Sequence, residues 1–449
     1  MMSRYLVGGL ALAGIAALAG CAENRPSAPH KAEPLPAARV AVDPEVADFY
    51  RARGNRPLWV AHGRLKPEAL ALAVSIGGAA DHGLDPERYG ARDIETALGA
   101  AAHGDTRALA RAELLLSRGL TRFVRDLRTP VRPTGLKYIE PELAPAPPSP
   151  RALLDGAAAA SSLSDFVADA VRVNPLYDSL HRGYARWRVA APRLPEEERL
   201  VLANLDRARA IPGRRGRYII VDAGSARLWM IEGNRIEAPM PVIVGKAAMA
   251  TPALASSLRF VVLKPWWNVP PDLARERARK VLREGPMLLA RERLEILSDW
   301  SDRARVIKAS QVDWQAVASG RRTLRLRQRP GGSNVMGEIK FMMPNELGIY
   351  LHDFPEKALF ARADRRLSSG CVRVSDAPRL ARWLFRGDPP RPKGAAPEQD
   401  VDLPEPVPVY ITYLTALPDP ARGIALRPDP YRRDAPLLAA AAGKARKAS

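Results

Sequence analysis

The chain has 449 residues, enough for two or three domains, and its 47% hydrophobic content suffices for a buried core. Its formal net charge is +20, but the cations are spread out, with no long Lys/Arg block and no basic-plus-aromatic signature. The charge therefore reads as a solvated surface suited to anionic polymers or membranes outside the cytoplasm, and no nucleic-acid partner is implied.

The N-terminus, "MMSRYLVGGLALAGIAALAGC", has Arg4, an apolar run from Tyr5 to about Ala19, then small residues and Cys21. The run is short for a membrane-spanning helix and has the proportions of a signal peptide. "LAGC" resembles the lipobox of bacterial lipoproteins, which implies a signal peptide over 1–20, lipidation of Cys21, a lipid anchor in a membrane of the bacterial envelope and a periplasmic location. An ordinary secretory signal is the competing reading. Residues 21–42, rich in Pro and Ala, read as a flexible tether.

From 43 to 210 the pattern is helical. Asp43 and Pro44 fit N-cap and N1 positions, and Leu109, Leu114, Leu115, Leu120 and Phe123 repeat at helical spacing. At "RYIIVDA" the period changes to that of strands. "ARLWMIEGNRIEAPMPVIVGK" reads as a hairpin turning at Glu232–Asn234, and "SLRFVVLKPWWNVP" as a further strand. Two helical stretches, "PDLARERARKVLRE" and "PMLLARERLEIL", belong to an insertion over about 271–319. Then "TLRLRQRP", "GEIKFMMPN" and "GIYLHDF" read as strands, "SDAPRLARWLFRG" as a helix capped by Ser375 or Asp376, and "PVPVYITYLTAL" as the last strand. "GDPPRPKGAAPEQDVDLPE" reads as an exposed loop, and 417–449 as a mobile tail. The expected fold is α+β: a helical N-terminal domain over 43–210, then a mostly β domain over 211–416 with a helical insertion.

Beyond Cys21 the chain has one cysteine, Cys371, and only one of its six histidines, His352, lies in the β domain. A lone thiol in an oxidising compartment is a liability, so its presence points to chemistry. The competing reading is a buried small residue beside a satisfied polar histidine. A thiol needs a base or a positive charge to become a nucleophile. His352 can supply the base and Arg373 the charge; Arg373 can also hold a substrate carboxylate. In "SSGCVR", Gly370 permits a turn that aims successive N–H groups at one point, so the Gly370 and Cys371 N–H groups are candidate oxyanion donors. No Cys-x-x-Cys or His-x-x-x-His occurs, and neither a metal nor a cofactor is expected.

"IYLHD" followed by "SSGCVRV" resembles the catalytic motif of the L,D-transpeptidases: a His, then Ser/Thr-x-Gly-Cys-x-Arg. "GKAAMATPAL", "KPWWNVPPDLA" and "RQRPGGSNVMGEIKFMMPN" are similar to the large members, as are "DFYRARGNRPLWV" and "NLDRARAIP" in the helical half; those members carry an N-terminal scaffold domain. The resemblance implies a scaffold domain, a catalytic domain with a helical lid, and peptidoglycan stem peptides as substrates. It makes Cys371 the nucleophile and His352 its base, with Ser368, Gly370 and Arg373 matching the motif. Ser369 stands where smaller members have a second His, and Asp353 replaces the usual Gly after the first His. Tyr350, two before His352, is a candidate substrate contact. Trp266, Trp267 and Asn268 either line the cleft or pack as core or lid. There is no room for the peptidoglycan-binding module that large members often carry. Cell-wall synthases are candidate partners.

The implied reaction is acyl transfer through a thioester, joining two stems at diaminopimelate. An L,D-carboxypeptidase with water as acceptor uses the same chemistry. A non-catalytic glycan-binding envelope lipoprotein is the alternative of another class. A cysteine endopeptidase lacks an evident orienting residue.

Overall fold

The computed structural model describes residues 40–190, 194–213, 216–436 and 438. The signal-peptide and lipidation readings, with Cys21, lie outside them. Among the described residues no helix is long and apolar enough to cross a membrane.

The N-terminal part is helical because its apolar residues recur at three and four spacings. The longest helix, Thr106–Leu127, starts at Asp105, whose carboxylate accepts from the Ala108 N–H at 2.8 Å. It buries Leu109, Leu116, Leu120, Phe123 and Leu127 in one core with Phe49, Trp59, Leu72 and Ile76. Glu113 of this helix is buried but satisfied: it accepts from the Tyr50 hydroxyl at 2.6 Å and the Trp59 N–H at 2.9 Å. A buried carboxylate without such donors would be costly, so this side chain fixes how the 50–59 segment lies on the helix.

The C-terminal half is built on strands whose sheet closes on itself. The order runs Met240–Gly245, Val372–Val374, Leu351–His352, Ile339–Met342, Leu254–Leu263, Gln399–Thr412, Arg217–Asp222 and Arg227–Glu232, which pairs back to Met240–Gly245. Val221, Leu228, Val242, Leu258, Phe341, Leu351, Val372, Val374 and Val409 share one core, together with Leu380 and Leu384 of the helix Ala377–Phe385. Asp376 caps that helix, accepting from the Arg379 N–H at 2.9 Å. Alternation along each strand sends the intervening residues to the other face.

The halves are joined by specific contacts. Lys137–Tyr138 adds a short parallel strand to Leu254–Leu263. Glu140 accepts from the Ser257 N–H at 2.6 Å and from Arg259 at 2.8 Å. Asn204 donates to the Thr415 hydroxyl at 3.0 Å and accepts from the Thr415 N–H at 2.8 Å.

Four expectations differ from what is observed. The insertion holds the expected helices Pro271–Glu284 and Met287–Arg291, but also two strands of a four-stranded sheet that the flanking Trp267–Val269 and Arg325–Gln328 complete, with a core of its own. "LEIL", read as helix, is the strand Leu294–Leu297, because Arg293 takes a left-handed backbone (φ 55°) and ends the helix. The supposed loop before 405 is strand from Gln399 onward, interrupted by a register shift between Asp402 and Val407 that accommodates Pro404 and Pro406. The segment from 417 is not free: Ala416–Asp419 and Gly423–Leu426 form a hairpin, and Asp434 makes a buried 2.6 Å ion pair with Arg207 of the helix Pro195–Arg209. Its anchor is a glycine pair. A Cβ on Gly423 (φ 79°) would sit 2.5 Å from the Gly183 carbonyl and 2.8 Å from the Trp187 N.

Gly423→Ala is therefore expected to destabilise the protein by about 2 kcal/mol or more through clash and backbone strain. The check is a lowered urea midpoint with an unchanged slope.

Candidate active site

Strand register puts Cys371 and His352 on one face of neighbouring strands. Leu351–His352 runs parallel to Val372–Val374, with Leu351 opposite Val372 and His352 opposite Arg373. Leu351 and Val372 point into the barrel core. The period of two therefore puts Tyr350, His352, Cys371 and Arg373 on the other face. On the far side of His352 the register places Lys340 opposite it. Lys340, His352 and Arg373 thus form a row across three strands, with Cys371 and Tyr350 beside it.

His352 is 1% exposed. Its Nδ1 lies 2.6 Å from the Asp353 carbonyl oxygen. That oxygen can only accept, so Nδ1 carries the hydrogen and Nε2 keeps the lone pair. Burial is the largest influence on the ring, and the Arg373 charge is next; together with Lys340 they push it down to about 3. The ring is a neutral base with fixed tautomer.

The Cys371 thiol is half-buried, and its Sγ lies 3.7 Å from the Gly348 carbonyl. Burial raises it above the ordinary thiol value; the Tyr350 N–H and hydroxyl and the charges of Arg373 and Lys340 pull it partly back. Arg373 thus favours the thiolate as the sequence suggested, but burial outweighs it. The resting pair is thiol and neutral imidazole.

The expected oxyanion pair is only half available. The Gly370 N–H donates to the Ser368 hydroxyl at 3.2 Å, and Ser368 in turn donates to the Cys371 carbonyl at 2.6 Å. Ser368 is buried and closes this turn, while Ser369 is exposed. The Cys371 N–H is left without a hydrogen-bond partner among the described residues. Gly370 has φ 119°, a conformation a side chain resists.

Arg373 has no ion-pair partner in contact among the described residues, and the carboxylate of Glu356 acts on it only at longer range. Its Nε is buried with no hydrogen-bond partner, and its guanidinium lies 4.1 Å over the Phe354 ring. A half-buried guanidinium with no ion pair in contact suits a carboxylate supplied from outside. Asp353 is turned away: its carboxylate holds Lys357 at 2.7 Å, and its contribution to the site is the carbonyl that orients His352.

Tyr350 packs on the core of the insertion, its hydroxyl 3.6 Å from Met336 Sδ, and its ring lies 5.8 Å from His352. Trp267 is buried in that same core, so packing is its role there, and Asn268 is exposed and paired with Arg327. Trp266 carries Arg327 over its ring at 3.9 Å. None of these three has a described contact with Cys371. Lys340 and Met336 were not singled out from the sequence; the alternation in "EIKFMM" was the signal that Lys340 and His352 share a face. A cavity of about 440 Å³ lies at the seam between the halves, lined by Asn174, Pro212, Tyr218 and Asn234 among others, and holds none of these groups.

Comparison with known proteins adds the family. Residues 44–183 match the Scaffold domain model, and residues 216–409 match the model of the L,D-transpeptidase catalytic domain, YkuD. Residues 216–409 are thus an L,D-transpeptidase catalytic domain. A Haemophilus influenzae protein named as a candidate L,D-transpeptidase is 30% identical over 226 residues, which is 50% of this chain and 45% of that one. This chain thus spans under half the length of that relative. Among solved structures, an L,D-transpeptidase from Mycobacterium smegmatis shares 12% identity over 44% of this chain and 58% of its own, with a TM-score of 0.22. An LD transpeptidase in complex with imipenem shares 11% identity over 44% and 59%, with a TM-score of 0.21. At those scores neither likeness bears on the geometry of the site.

For this L,D-transpeptidase domain, ¹⁵N-histidine NMR is expected to show His352 neutral and Nδ1-protonated at pH 5. Its pKa is lowered on folding from 6.5 to about 3, so the unfolded chain binds the proton first. The stability this ring contributes is full above pH 6.5 and is lost as pH falls toward 3. His352→Gln should make the fall in urea midpoint between pH 6.5 and 4 shallower.

Proposed function

We propose that this chain is a peptidoglycan L,D-transpeptidase that cross-links stem peptides through a thioester on Cys371. The reading is carried by one observation: the thiol, the neutral imidazole and the unpaired guanidinium share one face of adjacent strands, against the insertion.

The donor stem binds with a carboxylate on Arg373. Pairing that cation relieves the charge that helps hold the His352 pKa down, so the imidazole becomes a stronger base when substrate is present. Cys371 Sγ attacks the carbonyl carbon between diaminopimelate and the terminal D-Ala, while its proton moves to His352 Nε2. The carbonyl oxygen becomes an oxyanion and is met by the Cys371 N–H. The C–N bond breaks, His352 protonates the leaving amine, and D-Ala departs. The side-chain amine of a second stem then attacks the thioester and gives its proton to His352. Sulfur leaves and is reprotonated, and an amide joins the two stems. The insertion shields the thioester from water, which otherwise yields a trimmed stem. The catalytic role belongs to Cys371 and His352, substrate binding to Arg373 and Tyr350. By the N-terminal signal the protein works in the periplasm, lipid-anchored at Cys21, where its basic surface faces an anionic wall polymer.

With purified muropeptides, Cys371→Ala should lower dimer formation by at least about a thousandfold with an unchanged circular dichroism spectrum, and the wild type should show an acyl adduct on Cys371 by intact mass. Dimer formation near the wild-type rate, or no adduct, defeats the reading; a trimmed stem in place of the dimer makes the enzyme a carboxypeptidase. Arg373→Gln should raise KM for a donor bearing the free carboxylate roughly tenfold or more, measured against the same donor amidated, whose KM should not change.

A further inference from the structure

We propose that Thr251 is a positioning residue that aims the Cys371 N–H at the reacting carbonyl oxygen, and that Arg433, from the C-terminal segment, holds Thr251 in place. The inference rests on the reading of Cys371 as the nucleophile.

Thr251 is fully buried, and its hydroxyl donates to the Gly370 carbonyl oxygen at 2.7 Å while accepting from the Gly245 N–H at 2.8 Å. The Gly370 carbonyl and the Cys371 N–H belong to the same peptide group. That group is planar and trans, so its oxygen and its hydrogen point in opposite directions. Fixing the oxygen on Thr251 therefore fixes where the hydrogen points. The restraint matters here because Gly370 lacks a Cβ and sits at φ 119°, where a glycine peptide plane rotates with little steric resistance. The neighbouring donor is already spent, since the Gly370 N–H goes to Ser368. The Cys371 N–H is thus the backbone donor this turn has left to offer, and Thr251 decides its direction.

Thr251 is itself held from outside the barrel. Arg433 donates to the Thr251 carbonyl at 2.8 Å, and the Tyr431 hydroxyl donates to the Gly245 carbonyl at the other end of the same loop. Asp429 accepts from the Arg433 and Asp434 N–H groups, at 3.0 and 2.7 Å. The Arg433 carbonyl accepts from Arg207 at 2.9 Å. A continuous set of hydrogen bonds thus runs from a helix of the N-terminal half, through the C-terminal segment, to the nucleophile's own peptide plane.

The test uses the full chain and two reactions on the same samples: muropeptide transfer, which forms an oxyanion, and alkylation of Cys371 by iodoacetamide, which does not. Thr251→Val and Thr251→Ala are expected to lower kcat for transfer roughly tenfold or more, within the range for loss of one oxyanion donor, with KM within about twofold. Alkylation should stay within about threefold of wild type, which also shows that the thiol sits in a folded site. Thr251→Ser, which keeps the hydroxyl, should stay within about threefold in both reactions. Arg433→Gln should lower kcat less than Thr251→Val does. Wild-type transfer in Thr251→Val, an equal loss in both reactions, or no rescue by serine overturns the inference. A failure of the nucleophile reading is distinct: Cys371→Ala would then keep transferring.

Discussion

The site depends on the parallel register between Leu351–His352 and Val372–Val374. Leu351 and Val372 are both buried in the barrel, and this pins the alternation of both strands. A slip of one residue on either strand would send its polar partner into the core and its leucine or valine to the surface. The hydrophobic interior thus sets the chemistry on the opposite face. Cys371 and His352 share that face because each adjoins a core residue that is held.

Electrostatics then sets a resting state different from the one the residue types suggest. Burial disfavours charge on the imidazole, and the flanking Arg373 and Lys340 add to that effect, so His352 stays uncharged. The same burial keeps the proton on sulfur. Thiol and imidazole are both neutral, and the unbalanced charge resides on Arg373. In the proposed reaction a site built this way is quiet until an anion arrives, because the arriving carboxylate alters the field in which the proton must move. An always-ionised thiolate would be exposed to oxidation in an oxidising compartment, and a neutral one is less so.

What the sequence revealed was whatever is local. The His and Ser-x-Gly-Cys-x-Arg spacings, the change from helical to strand period near 217, and the cap at Asp376 are properties of short stretches. Contacts that join distant stretches stayed hidden. Thr251 meets Gly370 across more than a hundred residues, and nothing in "ATPAL" marks it as touching the turn. The Gly370 N–H looked free because its partner, the Ser368 hydroxyl, bends back only once the turn is formed. Trp267 reads equally well as cleft or core until Arg277 and the insertion's apolar residues are seen around it. The strand Leu294–Leu297 followed helix-like residues without a Gly or Pro, and a left-handed arginine ended the helix instead. The C-terminal segment lacks periodicity because it is held by a glycine contact, an ion pair and scattered hydrogen bonds, which leave no repeating trace.

The strand Gln399–Thr412 occupies the middle of the closed sheet, between Leu254–Leu263 and Arg217–Asp222, yet it is the last of the barrel strands to be synthesised. Until it arrives, both of those neighbours present unpaired backbone edges, and the ring stands open like a split hoop. The nascent domain is therefore vulnerable to edge-to-edge association for most of its synthesis, and only the delivery of this final stave gives the wall its closure.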